Sequence, residues 1–493
     1  MKSNIRWLVL AIISSALFLV VIDMTVLYTA LPRLTHDLRA SASEKLWIMN
    51  AYTLTIAGLL PATGALSDRF GAKKLFTSGL AIFGIASILA AFSPDPDTLI
   101  AARIILAFGA AMMMPATLAI VRHAFEDPNE RALAIGIWSA VASGGAALGP
   151  VIGGFLLEYY WWGSVFLINV PIVVVAFSFA IAVIAKSRGN PERSFDLIAS
   201  VQIMIGLVSI TYAIKELSKP VPSLETIAAI GTVGIIFTLI FIRRQQRSSA
   251  PMIDFNLFRN RAFTAGVATA FVATAALVGM ELAVSQRFQL AMGLSPLQAG
   301  LLILPIPIAS FIAGPLAGIA IPKLGSNKIM WLALALTGLG TFGYLIGLQS
   351  GLFMQIAAFS IIGFGAGAAM TAASTAIMLN APEDNAGTAA SIEETAYELG
   401  SLIGIAVLGS LMVAIYTASF SLPAGIDVSG LVSNSIDEAL IVAEGLKGEA
   451  ALSLINAAKQ AFNHSFLSVL IAAGTFLMLA AGAIAIFGKE KRH

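Results

Sequence analysis

GALSDRFGAKK, residues 64–74, is a short polar turn between two apolar runs, and a counterpart, GIAIPKLGSNK, stands 254 residues further along at 318–328. Gly64, Arg69, Gly71 and Lys74 align with Gly318, Lys323, Gly325 and Lys328, while Asp68 is matched by Pro322. Glycine permits a tight turn and close backbone approach. Bases in a short loop mark it as one that stays on the cytoplasmic side of a membrane. The same loop at the equivalent place in each half points to a duplicated transporter.

Outward from that loop the chain is apolar. Of 493 residues, 58% are hydrophobic and 11% charged, with mean hydropathy +0.89. A soluble domain carries about 25% charged residues, so this is an integral membrane protein. A spanning helix needs about 20 mainly apolar residues. Fourteen candidates occur, at about 7–31, 47–67, 74–92, 98–121, 133–157, 162–185, 197–215, 224–242, 262–284, 298–321, 329–348, 353–379, 388–416 and 464–487. The first is too long for a signal peptide and reads as a retained span. Polar turns such as SPDPD (93–97), NPER (190–193) and PEDNAG (382–387) join them.

With the N-terminus inside, inner segments hold 20 of the 29 Lys and Arg residues, among them Lys2, Arg69, Lys73, Lys74, Arg188, Arg193, Arg243, Arg244, Arg247, Arg259, Arg261, Lys323, Lys328, Lys489, Lys491 and Arg492. Outer segments hold 8, including Lys215, Lys219 and Arg287, and Arg103 alone falls within a span. This bias places both termini in the cytoplasm. The expected organisation is an N-terminal six-helix bundle (1–188), a two-helix insert with linkers (189–254) and a C-terminal six-helix bundle (255–493). The last includes a long outer loop at 417–463, read as one or two amphipathic helices that cap the bundle.

Several motifs carry a resemblance. GALSDRFGAKK resembles the loop signature G-x-x-x-D-R-x-G-x-K of the major facilitator superfamily, and GGAALGPVIGG (144–154) resembles the G-x-x-x-G-P-x-x-G-G signature of its antiporters. LFLVVIDMTVLYTALP (17–32) and LSPLQAGLLILP (294–305) are similar to stretches of the family's fourteen-helix drug/proton antiporters. The resemblance implies an all-α major facilitator fold with 14 transmembrane helices in a 6 + 2 + 6 order. It implies proton-coupled efflux of lipophilic or quaternary organic cations, such as methyl viologen, ethidium and quaternary ammonium biocides, across a bacterial inner membrane. It also implies that Gly64, Asp68, Arg69, Gly71 and Lys73 latch the halves, and that Gly145, Gly149, Pro150, Gly153 and Gly154 mark an antiporter. The partners are then organic cations, protons and the bilayer, with no nucleic acid, for a monomeric protein.

Read physically, Asp68 can pair with Arg69 or with a neighbouring helix end. Gly145, Gly149 and Gly153 recur every four residues, so they share a helix face on which another helix can approach closely, and Pro150 favours a kink. Arg103 cannot be deprotonated; it either snorkels to the outer surface or finds an acceptor inside, and the family resemblance implies a part for it in proton transfer. Asp23, about 20 Å deep by helical rise, is a proton or cation site, or else hydrogen-bonds with Thr25 or Arg103. Glu394 and Glu398 are four residues apart and share a face, with Glu393 about 100° round. They form either the interfacial start of a helix or a wet cavity in which protons and a cation compete. Tyr397 and Met112–Met114 offer faces to a flat cation. Glu281 is expected in an outer vestibule or paired with Arg287.

Zero cysteines exclude disulfides and thiolate sites. His36, His123, His464 and His493 are scattered, so no metal or cofactor is expected. No phosphate-binding loop points to an ATP-driven pump, and no nucleophile–base set points to an enzyme. The alternative is a narrow-specificity metabolite or zwitterion transporter on the same fold.

Overall fold

Lipid offers no water to satisfy a backbone, so each apolar run closes its hydrogen bonds internally as a helix. The computed structural model of the chain describes residues 3–40, 42–186, 189–190, 196–217, 223–248, 251, 253–348, 350–423, 430–433 and 435–487. Lys2, Arg188, Arg193, Lys219, Lys489, Lys491, Arg492 and His493 lie outside the described residues, as do most of the NPER turn and part of the 417–463 loop. Among the described residues every element is helical. Fourteen stretches have spanning length: α1 (Ser3–Asp37), α2 (Ala42–Phe70), α3 (Ala72–Ala91), α4 (Pro96–Ala124), α5 (Pro128–Tyr159), α6 (Ser164–Val183), α7 (Leu197–Leu217), α8 (Leu224–Arg247), α9 (Arg261–Gln286), α10 (Gln298–Leu324), α11 (Ser326–Gly347), α12 (Leu352–Asn380), α13 (Ala386–Ser419) and α14 (Glu449–Phe487).

Among the described residues thirteen of these are long and apolar enough to cross a membrane by composition alone. The remaining one, α2, carries Asn50, Tyr52, Thr53, Thr55 and Thr63, and its 29 residues reach about 44 Å. Its polar side chains are tolerated because it packs against α4, α7 and α13.

Helix ends run several residues past the apolar runs, because local caps carry them into polar surroundings. The Asp95 carboxylate accepts from Thr98 N at 2.8 Å and starts α4, and that hydrogen bond holds its carboxyl below the usual range. Asp127 starts α5 by accepting from the Asn129 and Glu130 amides. Ser295 and Gln298 form a reciprocal capping box ahead of α10. In the insert, Arg244 grips Asp196 through two hydrogen bonds, Nε–Oδ2 at 2.5 Å and Nη2–Oδ1 at 3.2 Å, which tie α7 to α8 at one end. The arginine's hydrogen bond, foremost, lowers the Asp196 carboxyl from its usual range, so this tie weakens as pH falls through that lowered value.

The outer loop differs from expectation in one respect. Ile436–Glu444 is a separate short helix, and it buries Ile436, Ala439 and Ala443. The second amphipathic stretch is continuous with the last span, so α14 has 39 residues and rises about 58 Å. Its buried positions Leu454, Ala458, Ala461 and Phe462 continue the stripe that Ser465, Phe466 and Val469 follow, which leaves no reason for a break.

Without a hydrophobic driving force between helices in lipid, close packing depends on small residues. Two interfaces show this. A Cβ on Gly64 of α2 would lie 2.7 Å from Gly387 O of α13. One on Gly318 of α10 would lie 2.6 Å from Ala132 O of α5. Further along the second interface, Gly136 and Gly314 face each other at similar range, and Ser143 and Ser310 hydrogen-bond at 2.7 Å. The turns that follow α2 and α10 match as well, with Gly71 at φ 93, ψ 135 and Gly325 at φ 82, ψ 145, a region only glycine enters readily. Both interfaces join the first helices to the last ones at the ends that carry the basic loops.

A bulky residue at Gly136 should therefore pry α5 from α10. The chain has no cysteine, so spin labels at Asn129→Cys and Lys323→Cys report that separation cleanly. We expect Gly136→Val to lengthen the electron–electron distance measured between them.

Candidate functional site

Asp23 and Arg103 are brought together by helices distant in sequence. Arg103 Nη1 donates to Asp23 Oδ2 at 2.7 Å, with both side chains at most 2% exposed. Asn169 Nδ2 of α6 donates to Asp23 Oδ1 at 3.3 Å and to Ser87 Oγ of α3 at 3.3 Å. Arg103 Nε donates to Ile48 O at 3.3 Å, and the guanidinium lies 4.4 Å from the centre of the Tyr52 ring. Arg103 therefore does not snorkel: an acceptor and an aromatic face hold it inside. Thr25 is not the partner of Asp23, since its hydroxyl turns back to Val21 O and Ile22 O. Both oxygens of Asp23 are engaged, and the group is a buried ion pair with an amide support.

The glutamates are arranged differently. Glu393 is fully buried and faces α12, where the Ser374 hydroxyl donates to its Oε1. Tyr397 OH, one turn on, donates to the same oxygen at 3.1 Å. Glu394 is 4% exposed, and its Oε1, like Oε2 of Glu393, has no hydrogen-bond donor among the described residues. The charges that act on Glu394 are those of Glu393 and Glu398. Glu398 lies within electrostatic reach of Lys215 on α7, whose ammonium donates to Asn50 Oδ1 of α2 at 2.6 Å. Glu393 and Glu394 thus stand buried in protein while Glu398 is half-buried, and Glu393 is turned away from the face that Glu394 and Glu398 share. Met113 is packing: it fills the space beside Gly79 between α3 and α4. Arg287 donates to Asn463 Oδ1 at 3.1 Å and lies over Phe466, so among the described residues it makes no ion pair with Glu281.

In the 64–74 loop, Asp68 takes the helix-end alternative. Its carboxylate accepts from Gly387 N at 2.7 Å, Thr388 N at 2.9 Å and Thr388 Oγ1 at 2.6 Å. Asn385, the N-cap position of α13, makes no side-chain cap of its own. Asp68 supplies the missing cap from another part of the chain, where the positive end of the helix dipole favours a carboxylate. The matching helix α5 carries its own cap, Asp127, which is why Pro322 can stand where Asp68 does in the repeat. Lys73 turns the other way and donates to Ile181 O at 2.7 Å and Ile184 O at 2.5 Å at the end of α6. Arg69 lies over the Phe70 ring at 5.4 Å.

On α5, Gly145, Gly149 and Gly153 all face α1, and a Cβ on Gly149 would run into the Thr25 side chain. Gly144 meets Phe311 of α10, while Gly154 faces open space. The backbone remains helical through Pro150.

Sequence reasoning passed over Asn169, Tyr52, Ser374 and the Lys215–Asn50 contact. A polar side chain inside an apolar run, as in FLINVPIVVV, was the available signal; its partner was not.

The family model of the Major Facilitator Superfamily matches residues 13–405 and 263–490. The chain belongs to that superfamily. It is 40% identical to the methyl viologen resistance protein SmvA of Salmonella typhimurium over 479 residues, 97% of each chain. It is 36% identical to the multidrug efflux pump LfrA of Mycolicibacterium smegmatis, covering 97% of this chain and 96% of that one. In fold it is similar to the human organic anion transporter MFSD10, with TM-score 0.64 at 15% identity over 97% of this chain and all of that one. The proton:xylose symporter XylE also gives TM-score 0.64, at 12% identity over 99% and 97% of the two chains. The protein is thus a multi-pass membrane protein with the major facilitator fold, and its relatives are named as multidrug efflux or resistance proteins.

A buried pair that loses one partner leaves an uncompensated charge, at a cost of about 3–5 kcal/mol. Arg103→Ala should lower the thermal unfolding midpoint in detergent well below that of the double variant Asp23→Leu/Arg103→Leu, which removes both charges.

Proposed function

We propose that the chain is a proton-coupled antiporter that exports lipophilic or quaternary organic cations. The observation that carries this reading is the pair of carboxylate oxygens, Glu393 Oε2 and Glu394 Oε1, buried in α13 without a donor among the described residues. An ionised carboxylate in that setting is costly unless a proton or a cation meets it. A site that accepts either one, but not both, couples their movements. The names of the relatives support an export role and cationic substrates of the methyl viologen kind. They support a transporter over an enzyme.

The two six-helix halves, 1–188 and 255–493, would rock about this site with the insert 189–254 at the side. Here their basic-loop ends are closed on each other, through Gly64–Gly387 and Gly318–Ala132. Asp68 on the α13 N-terminus is the latch of that closed state, with Gly64 and Gly71 allowing the approach. Arg69 and Lys73 then serve topology and the end of α6. The glycines of α5 keep α1 close while the halves move, and Asp23 with Arg103 forms the buried pair that a proton reaching Asp23 would loosen. The chain would lie in the inner membrane with both termini cytoplasmic, as the positive-inside bias requires. Moving one net charge across 100 mV is worth about 2.3 kcal/mol, so a monovalent cation gains from the potential only if more than one proton returns.

Lys215 beside Glu398 supports a second reading, a zwitterion transporter, because it supplies both signs of charge at one place.

Preloaded cells decide between them. Ethidium efflux should stop on adding a protonophore, and Glu394→Gln at equal protein level should lower it about tenfold or more. Undiminished efflux from Glu394→Gln would remove the glutamate from the mechanism. No cation efflux from the unaltered protein, with uptake or release of a zwitterion, would favour the second reading.

A further inference from the structure

Between the insert and the core lies a cavity of about 470 Å³, within the range of small-molecule sites. Ile203 and Leu207 of α7, Phe241 and Ile242 of α8, Phe271 of α9 and Leu399 of α13 enclose much of it. The acids of α13 do not line it; that helix turns Ile392, Ala396 and Leu399 towards it instead. Among the described residues no charged side chain lines it, so the cavity holds no counter-charge for a cationic centre.

Its level and its rim say what it fits. Thr238 on α8 and Pro61 on α2, both in the lining, stand nine residues before the helix ends at Arg247 and Phe70. Nine residues is about 14 Å of helix, so the cavity runs from near the basic-loop surface into one leaflet. Around that opening the chain carries Arg243, Arg247, Arg259 and Arg261, each exposed and one to five residues from a lining side chain. Arg244 is taken by Asp196, and the Asp254 carboxylate is turned to Asn256. Among the described residues no carboxylate forms an ion pair with any of the other four arginines.

We propose that this is a structural site for an anionic phospholipid, with one acyl chain in the cavity and the phosphate on the four arginines. An apolar slot alone would accept any hydrocarbon. The basic rim at headgroup level selects the anionic lipid, as clustered Lys and Arg do elsewhere at about fivefold per base. The lipid would fill the space between insert and core and fasten α7 and α8 beside α2 and α13. The site is independent of the glutamate reading and rests on the orientation argued from charge bias only for the choice of leaflet.

The test uses the absence of cysteine. Ala268→Cys, at a lining position of α9, is labelled with bimane and reconstituted into phosphatidylethanolamine vesicles. These contain increasing phosphatidylglycerol or phosphatidylcholine with brominated acyl chains, present in both leaflets. Half-quenching is expected at a mole fraction at least about fivefold lower for phosphatidylglycerol. Changing all four arginines to glutamine should erase the preference, and changing them to lysine should keep it. Equal quenching by the two lipids overturns the proposal. So does no quenching by either, or quenching only by a brominated alkyl quaternary ammonium, which would give the cavity to a transported cation. If the glutamine variant fails to fold, the comparison of the two lipids in the unsubstituted background decides alone.

Discussion

A charge held at membrane depth must be met by another charge, by donors or by a proton, because the surroundings offer no water to do so. Much of the interior follows from this. Asp23 and Arg103 answer each other at 2.7 Å, and Asn169 and Ile48 O occupy what the pair leaves over. Among the described residues Glu393 has Ser374 and Tyr397 on one oxygen and no donor on the other, and Glu394 has an oxygen with no donor. Among the described residues both carboxylate oxygens of Asp23 are engaged, whereas Glu393 and Glu394 each keep one without a donor. That contrast sets the glutamates of α13 apart from Asp23 on α1.

The same α13 connects the acids to the 64–74 loop. Its N-terminus is capped by Asp68 of the 64–74 loop, and the glutamates follow two turns later on the same helix. A carboxylate that caps a helix from outside holds only while the two parts stay together, whereas a local cap such as Asp127 on α5 holds regardless. Both pseudo-equivalent interfaces are closely packed through glycine, and the one between α2 and α13 is tied in addition by the Asp68 cap, a polar contact that breaks when the two parts separate. Movement of α13 away from α2 would uncap the helix and alter the surroundings of Glu393 and Glu394 together.

The insert adds to this site as well as lying beside it. Lys215 reaches Asn50 of α2 and acts electrostatically on Glu398, so a helix outside the two six-helix halves contributes a charge to the face they share. Below that contact the apolar cavity separates insert from core. The insert is thus polar where it meets the acids and apolar where it meets the hydrocarbon.

Composition and spacing by themselves determined the membrane class and the number of spanning stretches, because twenty-residue apolar runs and basic loops are local patterns; the 64–74 motif pointed to the family by its resemblance to a known signature. They also singled out the costly side chains, Asp23, Arg103 and the glutamates, since an ionisable group in an apolar run stands out without any structure. What they could not supply was who meets whom. Asp23 and Arg103 are 80 residues apart, and Asp68 and Thr388 are 320 apart; such pairs leave no periodic trace in either segment. Only the tertiary structure decided that Arg103 faces inward, that Asp68 caps α13 and that Lys73 donates to the end of α6. It also decided that Glu393 turns from its neighbours, because rotation about a helix axis and the choice of packing partner depend on the whole bundle.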